Sequence, residues 1–105
     1  MAVVSVTTLS LKPDRYEAFL DTTRKSKALL EKHGAKNVRL IAALSAGEAS
    51  GSLALTWEAD DFGSQGAVMD KFLADEEGLA LLMSSNTSEG PSIGFQSSIW
   101  VDVPL

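Results

Sequence analysis

The chain has 105 residues, a net charge of −5 and 45% hydrophobic residues, which bounds it to a single domain over 1–105 with a modest core. It contains no cysteine, so disulfides, thiolate metal sites and cysteine nucleophiles are excluded. The acidic balance, without a basic stripe carrying aromatic residues, argues against nucleic acid as a partner.

Residues 2–11, AVVSVTTLSL, are rich in β-branched types and predict a first strand. They lack the basic segment of a signal peptide, and Ser5, Thr7 and Thr8 interrupt them. No apolar run reaches the ~20 residues of a membrane span. A cytoplasmic protein without a membrane partner is the expectation. Lys12-Pro13-Asp14 suits a helix start, and a helix is predicted from about Pro13 to His33. Tyr16, Phe19, Leu20, Thr23 and Leu30 recur on one face of it. Lys32 and His33 favour its last turn, and Gly34 can supply a left-handed stop.

Strand two is predicted at 37–45, where Val38, Leu40, Ala42 and Leu44 alternate with Arg39, Ile41 and Ala43. The small residues 46–51 form a hairpin connection to strand three, 52–59. There Leu53, Leu55 and Trp57 take one face and Ser52, Ala54, Thr56 and Glu58 the other. Asp60 or Asp61 caps a second helix carried by Phe62, Ala67, Val68 and Phe72. Asp75-Glu76-Glu77 reads as a new N-terminus for a short helix carrying Leu79, Leu82 and Met83. Residues 84–94 read as a polar loop and 95–103 as strand four.

The order β-α-β-β-α-β predicts an α+β, ferredoxin-like fold: a four-stranded antiparallel sheet with helices on one face. Two helices cover only one face of such a sheet. Neither face of these strands is mainly charged, so the free face calls for burial against a second copy, and a homodimer is expected. Charge is uneven along the chain. Residues 1–52 hold eight Lys/Arg and five Asp/Glu, whereas 53–105 hold one basic residue and nine acidic ones. That bias fits two helices with oppositely charged solvent faces, or attraction of an anion or a second copy to the basic half.

The segments 9-LSLKPDRYEAFLD-21, 29-LLEKHGAKNVRLI-41 and 53-LALTWEADDFGSQGAVMDKFLADEEG-78 resemble the dimeric α/β-barrel superfamily, in its NIPSNAP-like and antibiotic-biosynthesis-monooxygenase-like branches. The resemblance spans nearly the whole chain and rests on architecture more than on chemical motifs. It implies a homodimer whose two sheets form a barrel, with a small pocket between each sheet and its helices. Members include cofactor-free oxygenases, isomerases and haem degraders. The haem-degrading branch uses an asparagine on strand one and a histidine on the second helical segment. This chain has Thr7 near the first position and no histidine after His33, which argues against that route.

Three side chains are candidates for chemistry. His33 either caps its helix or shuttles protons from a pocket. Lys27 lies at the edge of the apolar stripe, where it either snorkels or holds an anion. Glu58 is either a solvated residue at a strand end or, if buried, a general base. Thr7, Tyr16, Arg39, Trp57 and Trp100 are the candidate ligand-binding residues, with both tryptophans also fit for core or interface anchors. No metal site, nucleotide loop or nucleophile elbow is present in the sequence, and no cofactor is expected. Two classes of function remain. One is a small-molecule-binding protein without catalysis. The other is a cofactor-independent monooxygenase or proton-transfer isomerase acting on a small, largely apolar organic substrate.

Overall fold

The computed structural model describes residues 2–11, 16–43, 52–85 and 92–105. In chain order the elements are β1 (Val3–Leu11), α1 (Tyr16–Lys32), β2 (Lys36–Ala42), β3 (Leu53–Ala59), α2 (Phe62–Ala74), α3 (Glu76–Ser85) and β4 (Ser92–Val101). The strands form one sheet in the order β2-β3-β1-β4, with every neighbouring pair antiparallel. This is the expected ferredoxin-like arrangement. Its Cα extents of 39 × 36 × 17 Å are those of one helical layer on one sheet, with the other sheet face open.

Local chemistry ends and starts the helices. At the end of α1, Gly34 adopts φ 105°. Its N–H donates to the Glu31 carbonyl at 3.2 Å, and the Ala35 N–H donates to the Leu30 carbonyl at 2.9 Å. These two bonds are those of a Schellman stop, which an L side chain at position 34 would strain. Asp61 caps α2 by accepting the Ser64 N–H at 2.7 Å from an extended backbone. That bond holds the Asp61 carboxyl below its ordinary value. Asp75 serves two helices. Its own N–H donates to the Lys71 and Phe72 carbonyls at the end of α2, and its Oδ1 accepts the Glu77 N–H at the start of α3.

Cross-strand register assigns the two faces. Ser5 lies between Trp57 and Ile99, and Thr7 between Leu55 and Ser97. Trp57, Ala59 and Val38 of this face join Leu29 and Leu30 of α1 and Val68 and Phe72 of α2 in the core. Parity forces a choice between Trp57 and Glu58. Burying an indole removes about 150–250 Å2 from water, worth about 4–6 kcal/mol at ~25 cal/mol per Å2, whereas an unpaired carboxylate resists burial. Trp57 accordingly turns to the helices at 4% exposure, and Glu58 turns to the open face. The rows Glu58–Val4–Trp100 and Arg39–Thr56–Val6–Ser98 cross that open face.

Several expected positions differ. Phe62, Ala67 and Leu79 are exposed, while Leu29 is buried. Ala67 is one residue, about 100° of helix, from buried Val68, which turns it outward. Tyr16 opens α1 and is also exposed. α1 closes at Lys32 rather than His33, and the expected start at Pro13 lies outside the described residues. β2 begins at Lys36, and the expected continuation at 44–45 likewise lies outside them. α3 extends to Ser85 and β4 spans Ser92–Val101, so both ends of the expected loop 84–94 are regular structure; residues 86–91 are outside the described set. β4 starts early because β1 pairs with it as far as Leu11↔Ser92, across an irregularity at Ser10/Leu11. That pairing is long-range and leaves little mark on local composition.

Candidate functional site

α1 packs on β2, and α2 packs on β3 and β1. The helix-side face of β4 is left partly open, with Ile99 and Val101 exposed on it. The gap between α2 and the β1–β4 pair is a cavity of about 420 Å3. Its floor carries Ser5, Thr7 and Ser97, and its walls include Trp57, Met69 and Ile99. Gln65, one turn into α2, closes one side.

The polar groups on the floor are linked. Gln65 Nε2 donates to the buried Ser5 Oγ over a long 3.4 Å. Thr7 Oγ1 and Ser97 Oγ are 3.1 Å apart, and either can donate. The same parity that points Trp57 inward places Ser5 and Thr7 beside it. Gln65 reaches them because the Asp61 cap fixes where α2 begins and its N–H donates to the Asp61 carbonyl at 3.0 Å. The cavity therefore offers an apolar wall and a hydroxyl–amide edge, the combination typical of small-molecule sites.

Of the candidate ligand-binding residues, Thr7 and Trp57 line the cavity. Tyr16 is exposed at the start of α1, and Arg39 and Trp100 lie on the open sheet face. Trp100 Nε1 donates to Ser98 Oγ at 2.8 Å. None of the three chemical candidates is among the described residues around the cavity. Lys27 is on the solvent side of α1, paired with Glu31 at 2.9 Å. His33 Nε2 lies 3.1 Å from Asp75 Oδ2, tying α1 to the α2–α3 junction. Glu58 accepts from Asn37 Nδ2, while Lys36 pairs with Asp60 at 2.7 Å. The Glu58 carboxylate thus joins the polar fastening where β3 ends.

Sequence reasoning missed Ser5, Val6, Gln65, Met69, Ser97, Ser98 and Ile99. The available signal was the pair Ser5 and Thr7, small polar residues on the strand face that also holds Val3 and Leu9. No group of acidic residues and histidine among the described residues could hold a metal ion. No helix among them is long and apolar enough to cross a membrane.

Comparison with family models and with curated proteins gives no match. Solved structures do match over almost the full chain. A NIPSNAP family protein from Agrobacterium tumefaciens aligns with TM-score 0.75 at 9% identity, covering 97% of this chain and 86% of the other. An uncharacterized NIPSNAP-like domain protein from Burkholderia xenovorans aligns with TM-score 0.72 at 13% identity, covering 97% and 85%. A variant of SnoaB, a cofactor-independent oxygenase from Streptomyces nogalater, aligns with TM-score 0.71 at 12% identity, covering 99% and 95%. The chain shares the ferredoxin-like fold of these proteins. At these identities the likeness establishes the fold alone. Thr7 and Trp57 are this chain's own lining, set by its strand register.

Proposed function

We propose that this protein binds a small, largely apolar organic molecule in the cavity between α2 and the β1–β4 pair, acting as a cytoplasmic homodimer. The carrying observation is the cavity of about 420 Å3, with Trp57, Met69 and Ile99 on its walls and linked hydroxyls on its floor. That volume is within the range of ordinary ligand sites. The dimer is supported by the open sheet face, where Val4, Val6, Ile41 and Trp100 have no helix over them. A second sheet would cover that face.

The second reading is catalysis by a cofactor-independent monooxygenase or a proton-transfer isomerase. It is supported by the structural likeness to SnoaB, a cofactor-independent oxygenase. No carboxylate, imidazole, amine or phenol is among the described residues lining the cavity. Proton abstraction by a positioned side chain needs such a group within hydrogen-bond reach. This favours binding over proton-transfer chemistry.

The test is uptake of Nile red, a neutral dye that brightens in apolar surroundings. The wild-type protein should brighten it saturably, and Met69→Trp, which fills the cavity, should abolish the response while circular dichroism stays native. Equal dye binding by both proteins would place the apolar site elsewhere and overturn the proposal.

A further inference from the structure

The cavity's polar edge is neutral and can both donate and accept. Ser5 is a buried hydroxyl already engaged by Gln65. Thr7 and Ser97 share one hydrogen bond whose direction can reverse, so the pair can present either a proton or a lone pair to a guest. Gln65 carries a carbonyl oxygen and an NH2 group on one side chain. A hydroxyl or carbonyl group on a ligand would find a match in this set without an ion.

The described cations lie elsewhere, and Lys25 is exposed on α1. Arg24, Lys27 and Lys32 of α1 pair with Asp21, Glu31 and Asp75. Lys36 pairs with Asp60 beyond the end of β3. Arg39 sits on the opposite sheet face, beside Thr56. Lys71 is exposed near the end of α2, six residues and about 120° around the helix from Gln65. The whole chain carries −5: residues 53–105, which supply β3, α2 and β4, carry −8, and residues 1–52 carry +3. A carboxylate entering the cavity would shed water without an ionic partner among the described residues and against the field of the acidic half.

We infer that this cavity selects an uncharged molecule bearing a hydroxyl or carbonyl edge over the corresponding carboxylate, and that Gln65 sets the preference. The inference rests on the binding reading above and narrows its ligand class. Gln65 is the polar lining group on the helix rather than on the sheet, so it can change charge without breaking strand pairing. It is only partly buried, which leaves room for a longer side chain.

The probes are 2-naphthol and 2-naphthoate, which share one ring system and differ in charge at pH 7. Calorimetric titration of the full chain should give 2-naphthol a dissociation constant at least about tenfold lower than that of 2-naphthoate. Gln65→Lys should tighten 2-naphthoate by about tenfold or more and erase the difference, because it supplies a cation at the lining. Gln65→Glu should weaken 2-naphthoate further. The wild-type ratio needs no variant and stands if either substitution impairs folding. Equal or tighter binding of 2-naphthoate by the wild type overturns the inference. A wild-type preference untouched by both Gln65 substitutions overturns the role of Gln65. If neither naphthalene binds but Nile red still does, the hydrogen-bonding edge is refuted and the apolar site survives. If Nile red also fails to bind, the cavity itself is refuted as a ligand site.

Discussion

His33 and Asp75 are 42 positions apart in the chain and 3.1 Å apart in the fold, Nε2 against Oδ2. The contact joins the end of α1 to the junction of α2 and α3, with Lys32 3.7 Å from the same carboxylate oxygen. The His33 bond, then the Glu77 N–H, hold the Asp75 carboxyl below its ordinary value of 3.8, and the charge of Lys32 adds to them. A carboxylate depressed in the folded state contributes stability above its unfolded pKa and loses it as pH falls through the folded one. Asp61 follows the same sign through its cap on Ser64. Thermal stability should therefore decline as pH drops below about 4. Asp75→Asn should lower Tm by a few degrees at pH 7 and flatten that acid limb, as followed by circular dichroism melts. An acid limb identical in the variant would remove Asp75 from the account.

Two helical glycines should respond to alanine with opposite signs. A Cβ on Gly78, buried in the first turn of α3, would fall on the Phe72 carbonyl, which belongs to backbone and cannot swing away. Gly78→Ala should cost about 1–3 kcal/mol, as overpacking does. A Cβ on Gly66 in α2 meets nothing within 4 Å. Gly66→Ala should add about 0.4–1 kcal/mol by restricting the unfolded chain. Urea unfolding of the two variants reads both signs, and a shared sign would contradict this geometry.

Glu58 should prove structural. Asn37 holds it from a left-handed backbone, φ 50°, which asparagine tolerates better than alanine does. Glu58→Gln should leave Nile red binding unchanged and shift stability by less than about 1 kcal/mol. Asn37→Ala should cost more, about 1–2 kcal/mol, since it adds backbone strain to the lost bond. Loss of dye binding in Glu58→Gln with a native fold would return Glu58 to the site.

The open sheet face is tested through Trp100, which is 63% exposed on it. Sedimentation at micromolar concentration should show a species of twice 11.1 kDa. Trp100→Glu should shift it toward the monomer, because a desolvated carboxylate at an apolar interface is penalised without a partner. A wild-type protein that sediments as a monomer would end the homodimer proposal.

Much of this fold was legible because its signals are local. Helix starts and stops reside in a few adjacent groups, such as the Asp61 carboxylate with the Ser64 N–H, or Gly34 after Lys32. Strand parity is local too, so the opposition of Trp57 and Glu58 follows from their being neighbours on one strand, and burial energetics rank them. The sites of Thr7 and Trp57 were reachable by the same reasoning. Phe62 and Leu79 were misjudged because apolar character alone does not say which third of a helix meets the sheet.

The order of elements, the caps and the residues that share a strand face are written in the local sequence. Long-range packing alone brings Ser5, Gln65 and Ser97 together, seats His33 against Asp75 rather than in a cavity, and pairs β4 with β1 from Ser92 onward. The physical reason is separation along the chain. Caps and parity arise from atoms a few residues apart, whose geometry the backbone restricts directly. The cavity joins residues 5, 65 and 97, brought together only when the sheet register and the seating of α2 are set by burial of the whole core.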